Sequence, residues 1–182
     1  MGEIKSTLDL VMEKTKHLSL SAEEKVGQQR EAYEKRLKGF LQQYADGLLT
    51  IVDFQDQLLT IQKNLGVNDI QPLIRQILNH VNPDRDNSLW LDLLETYRPR
   101  LKAPTQEILS TYVQHRENLL QTGMQNYLER LRSDHQIYGP AVVPNLIQDQ
   151  KIQQELMIMK NKVRDNLNTL SDQSASSGQP YL

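Results

Sequence analysis

Residues 21–66 read SAEEKVGQQREAYEKRLKGFLQQYADGLLTIVDFQDQLLTIQKNLG, and this stretch decides the fold class. Ser21 with Glu24 forms an S-x-x-E capping box, a helix start signal. Val26, Tyr33, Leu37, Phe40, Leu41 and Tyr44 then share one side of a helix. Asp46-Gly47 closes it, because glycine takes the left-handed conformation that ends helices. Thr50 with Asp53 opens a second helix, in which Ile51, Phe54, Leu58, Ile61 and Leu65 recur at steps of three and four before Gly66. Two amphipathic helices joined by a short glycine turn predict an αα-hairpin.

The same pattern continues outward. On the N-terminal side, Ile4, Leu8, Val11, Met12 and Thr15 fall on one helical face, set off by Ser19-Leu20-Ser21. This predicts a helical arm over 1–18. On the C-terminal side, Asn68 or Asp69 caps a segment carrying Leu73, Ile74, Ile77 and Leu78, with Pro72 in its first turn. After the polar loop 82–87, Ser88 caps a short helix from Leu89 to Tyr97 that is apolar on several sides and so belongs in a core. Pro99 and Pro104 frame an irregular link, and Thr105 opens a long helix over about 106–133. Gly123 in that helix allows close packing. Gly139-Pro140 and Pro144 mark a loop, in which Ala141-Val142-Val143 can form a short extended piece.

A last helix over about 146–170 carries Ile152, Leu156, Met159, Val163 and Leu170 on one seam, with Asn166 as a polar register residue before Leu170. Ser, Gln and Gly fill 171–182, a composition that predicts a disordered tail. The reading is therefore all-α: an elongated bundle of antiparallel amphipathic helices over 19–170, an N-terminal helical arm and a disordered C-terminal tail.

Composition narrows the function classes. Hydrophobic residues make up 38 % of the 182 and mean hydropathy is −0.60, values that suit narrow apolar stripes on wet helices. The net charge of −2 is spread along the chain, so no basic field for nucleic acid exists. No window approaches the roughly 20 apolar residues of a membrane span, and the N-terminus lacks the apolar run of a signal peptide. Without cysteine there is no disulfide, thiolate nucleophile or Cys-ligated metal. A soluble, cytoplasmic protein is expected. Met1-Gly2-Glu3-Ile4-Lys5-Ser6 fits the loose myristoylation pattern, but the charge beside Gly2 favours a residue that merely precedes a helix.

The stretch 84–95 is the most suggestive for chemistry. Laid on an EF-hand loop, Asp84, Asp86, Ser88, Asp92 and Glu95 supply oxygens at the first, third, fifth, ninth and twelfth positions. The sixth position, however, is Leu89, where the loop's sharp turn requires glycine. The competing reading is an Asp/Asn-rich turn that runs straight into a helix. The histidines His17, His80, His115 and His135 form no close metal-binding pair. No phosphate-binding or nucleophile-elbow motif occurs. Tyr97 to Lys102 is a local basic run able to grip a phosphate or an acidic partner surface, although such a run is more often a solvated linker.

The opening Met1-Gly2-Glu3-Ile4-Lys5-Ser6-Thr7-Leu8, with Glu13-Lys14-Thr15, resembles a family of small, uncharacterised bacterial cytoplasmic helical proteins. Tyr138-Gly139-Pro140-Ala141-Val142-Val143-Pro144-Asn145 is similar to the same family. The resemblance implies a bacterial origin and cytoplasmic residence, and it carries no activity.

The function expected from these residues is a helical protein–protein interaction module, without catalysis or cofactor. Its contacts run through the stripes of the arm (Ile4, Leu8, Met12) and of the last seam (Ile152, Leu156, Met159, Val163), and a homodimer is one form they can take. A ligand- or calcium-binding protein using 84–95 is the second reading. An enzyme with dispersed carboxylates and histidines is the third.

Overall fold

The computed structural model describes residues 21–139 and 141–176. The arm, with Ile4, Leu8, Met12 and His17, lies outside the described residues, as do 177–182. Among the described residues there are six α-helices, one 3-10 turn and no strand, so the fold is all-α. The chain divides between Asp69 and Ile70 into two compact units, where the sequence predicts one bundle over 19–170.

In the first unit, α1 (Ala22–Ala45) and α2 (Ile51–Leu65) pack on each other as the predicted hairpin. Both capping boxes form. Ser21 Oγ accepts from Glu24 N at 3.1 Å while Glu24 Oε2 accepts from Ser21 N at 2.7 Å. Thr50 and Asp53 exchange the same pair of bonds at 3.2 and 3.1 Å. At the end of α1, Leu48 N bonds Gln43 O and Gly47 N bonds Tyr44 O, with Gly47 at φ 72°, a complete Schellman motif. Tyr33, Leu37, Leu41 and Tyr44 of α1 are buried, as are Phe54, Leu58 and Ile61 of α2. Tyr44 and Phe54 meet with ring centroids 5.7 Å apart. Val26 departs from this stripe and is exposed.

The second unit holds α3 (Gln71–His80), α4 (Ser88–Tyr97), α5 (Pro99–His135) and α6 (Gln150–Ser176). Helix α4 packs on α3 and α5, and α6 packs on α3 and α5. Leu73, Ile74, Ile77, Leu93 and Leu94 are fully buried between them. Ile70, not Asn68 or Asp69, precedes α3, and it makes no side-chain cap.

Three boundaries correct the sequence reading. First, the link between Pro99 and Pro104 is helical: α5 begins at Pro99, and only Arg98 separates it from α4. A residue before proline is pushed out of the α region, so the break falls at Arg98, with φ −150° and ψ 73°. Pro104 removes one intrahelical bond, but Leu101 and Thr105 on either side of it are buried and hold the turn in place. Second, α6 begins at Gln150, later than the predicted start near 146. Asp149 sets it by accepting from Lys151 N at 2.8 Å and Ile152 N at 3.0 Å. Third, α6 continues through the predicted tail as far as Ser176. Ser171 and Ser174 are buried, and Ser174 exchanges two bonds with Gln71 of α3, at 3.0 and 3.1 Å. Small polar side chains that look like tail composition are here a close-packed, satisfied helix contact.

Gly123 permits the predicted close approach. A Cβ there would sit 2.8 Å from Ile152 Cδ1 of α6.

Candidate functional site

The corner between α3 and α4 is built around Asn87. Its buried amide donates to Asn82 O and Arg85 O, both at 2.8 Å, and accepts from Asn82 N at 2.8 Å. Asp86 Oδ1 accepts from Ser88 N at 3.0 Å and Oδ2 from Ser88 Oγ at 2.9 Å, which caps α4. Ser88 is thus the first helical residue, not the predicted cap.

This corner aims Asp84 at the two long helices. Asp84 Oδ1 accepts from Tyr112 Oη of α5 at 2.8 Å, and Oδ2 lies 2.5 Å from Lys160 Nζ of α6. The Lys160 hydrogen bond, more than that of Tyr112, holds the Asp84 carboxyl below the usual carboxylate range. Burial first, and then the bond to Asp84, pushes the Tyr112 hydroxyl up to about 12.

A cavity of about 330 Å³ opens beside this clasp, between the α3–α4 corner and α6. Its floor is apolar, from Leu78, Val81, Val163 and Leu167. Asn82, Asp84, Lys160 and Arg164 are among the polar residues that line it. His80 also lines it and stacks on Trp90 with ring centroids 4.6 Å apart. Because His80 Nδ1 lies 2.7 Å from Gln76 O, a pure acceptor, that nitrogen carries the proton. A second cavity, of about 260 Å³, lies between α5 and α6 and is lined by Ile108, Tyr112, His115, Met159 and Asn166 among others.

The residues proposed for a calcium loop do not wrap one centre. Helix α4 starts at Ser88, so the stretch 84–95 is a corner followed by a helix, with no twelve-residue loop. Asp84 turns to Tyr112 and Lys160, while Asp86 and Ser88 cap α4. Glu95 pairs with Lys102 of α5, and Asp92 lies 4.0 Å from the same ammonium. Among the described residues no group of three or more His, Asp or Glu side chains could hold a metal. The basic run Tyr97–Lys102 becomes the α4–α5 junction, with Lys102 already paired.

The seam predicted to face a partner faces its own chain. Ile152 and Val163 are buried, and Leu156 and Met159 are half-buried, on the face of α6 that packs in the second unit. Beyond Val163 the seam steps by four to buried Leu167, leaving Asn166 exposed. That is the drift of a straight helix, where a strict coiled-coil seam would hold its three-and-four alternation.

Two features carry no sequence signal. The Asp84 clasp joins residues from three separate elements. A run of exposed apolar side chains also surrounds the α5–α6 turn: Ile137, Tyr138, Val143 and Ile147, followed by Met157 and Ile158 on α6.

No helix among the described residues is long and apolar enough to cross a membrane. Comparison with family profiles, with curated proteins and with solved structures finds no match. The resemblance of the two short stretches therefore assigns no family, and the function rests on the chain's own geometry.

Proposed function

We propose that this chain is a helix-based protein-binding module whose contact surface is the apolar rim at the α5–α6 turn. The observation that carries this reading is the exposure of Tyr138 at 74 %, Val143 at 76 % and Ile147 at 76 %, close together in the chain. Scattered surface apolar residues need no explanation, but a concentration at one end of a helical hairpin marks a contact surface. Tyrosine and methionine, both represented here by Tyr138 and Met157, are enriched in protein interfaces. Apolar area on the rim is worth about 25 cal/mol per Å² once covered. The small net charge of −2 favours a protein partner over nucleic acid. A second copy of the chain is one such partner, and cytoplasmic residence is the compartment that a cysteine-free chain fits best.

The test is light scattering coupled to size exclusion, run on the wild type and on a Tyr138→Ser, Val143→Ser, Ile147→Ser triple variant. The partner as a second copy gives a wild-type mass above the 21.1 kDa monomer and a monomeric triple variant. If the wild type is monomeric, the same variant is compared in native-cell extracts, and it must lose a complex that the wild type forms. Unchanged complexes in both settings would sink the proposal.

A further inference from the structure

We infer that the groove between the α3–α4 corner and α6 is a binding site for a small carboxylate with a short apolar body. This inference is independent of the apolar rim and rests on the charge bookkeeping of the cavity. Asp84 and Lys160 neutralise each other across 2.5 Å, and Tyr112 occupies the other oxygen of Asp84. Arg164 lines the same cavity one turn further along α6 and has no carboxylate within ion-pair distance among the described residues. The groove therefore carries one cation, the exposed Arg164, that no described carboxylate pairs. Asn79, Asn161 and Asn168, all exposed, are also among its lining residues, and their side-chain amides make no protein hydrogen bond among the described residues. They are available as donors.

An arginine fork with amide donors around it matches a planar carboxylate, which accepts two parallel N–H bonds. A phosphate dianion fits less well, because its second charge would meet the Asp84 carboxylate in the same cavity. The apolar floor of Leu78, Val81, Val163 and Leu167 gives the ligand's body a dry surface. A volume of about 330 Å³ lies at the low end of the roughly 300–1,000 Å³ of small-molecule sites, so the body is short. Trp90 reports occupancy through His80, which lines the groove and stacks on the indole at 4.6 Å.

The experiment uses the full chain, with phenylacetate as the probe and phenethylamine and inorganic phosphate as comparators. Millimolar phenylacetate should saturably shift the side-chain amide resonances of Asn79, Asn161 and Asn168 and change Trp90 emission. Phenethylamine, with the same ring and the opposite charge, should do neither. Arg164→Gln should weaken phenylacetate by roughly tenfold. Lys162→Gln removes the same charge from α6 outside this groove and should leave binding unchanged. The inference is overturned by an absence of saturable shifts in the wild type, by equal binding of phenethylamine, or by tighter binding of phosphate than of phenylacetate. It is equally overturned by an Arg164→Gln chain that folds and binds as the wild type does. The comparison of the probes on the wild type stands even where the variant does not fold.

Discussion

The hydroxyl of Tyr112, in the N-terminal half of α5, donates to the Asp84 carboxylate in the α3–α4 corner at 2.8 Å. Since Asp84 also holds Lys160, this one carboxylate links the corner to both long helices. A hydrogen bond to a charged acceptor is worth about 1.5–3 kcal/mol when buried. Asp84 is partly exposed, so the lower end of that range applies. Tyr112→Phe should lose about 1–2 kcal/mol in urea denaturation at neutral pH.

The same pair fixes a pH dependence at both extremes. Tyr112 is raised to about 12 in the folded chain, against about 10 when unfolded. Its contribution is complete below about pH 10 and is lost as pH rises towards 12, on the order of 2 kcal/mol in all. Asp84 is lowered, so its contribution is present above the unfolded value of about 3.9 and is lost as pH falls below it. Urea titrations of the wild type should show both limbs. Tyr112→Phe should shrink the alkaline one and leave the part due to Tyr33 and Tyr127, whose hydroxyls are also raised, and an unchanged alkaline limb would count against the clasp.

Gly123 sets two effects of similar size against each other. Alanine in a helix gains up to about 1 kcal/mol over glycine, but its Cβ would stand 2.8 Å from Ile152 Cδ1. That atom is the end of a side chain and can swing aside at some cost in packing. Gly123→Ala alone should therefore be close to neutral. In an Ile152→Val background, which removes the clashing methyl, the same change should stabilise by about 1 kcal/mol. Additive single effects in thermal or urea unfolding would contradict the close approach.

The end of α6 distinguishes a packed helix from a tail. Stopping the chain after Leu170 removes buried Ser171 and Ser174 together with both bonds to Gln71. That truncation should cost about 2 kcal/mol or more. Stopping after Ser176 retains these contacts and is the reference for the shorter chain. Equal denaturation midpoints for the two truncations would show that 171–176 contribute nothing.

What was legible in the sequence was local. The capping boxes at Ser21 and Thr50 and the glycine stops at Gly47 and Gly66 each act within a turn of chain, and all form. What was hidden depends on partners distant in sequence. Pro104 reads as a breaker, and only the burial of Leu101 and Thr105 against the rest of the unit carries the helix through it. Ser171 and Ser174 read as polar tail, because the sequence gives no sign that Gln71 meets them. The stretch from Asp84 to Glu95 has the oxygen spacing of a cation loop but Leu89 in place of its turn glycine, and nothing local shows that Asp84 finds its partners on α5 and α6. Leu167 replaced Asn166 on the α6 seam because the straight helix drifts off the heptad.

The rim at the α5–α6 turn is the centre of the functional account, and site-specific photocrosslinking in the native cell tests it most directly. A photoreactive side chain is placed at Tyr138 or at Ile147, both more than 70 % exposed on the rim, and at exposed Gln125 on α5 as the control. A discrete protein adduct is expected from Tyr138 and from Ile147, and none from Gln125. No adduct at the rim positions, or the same diffuse adducts at all three, would contradict it.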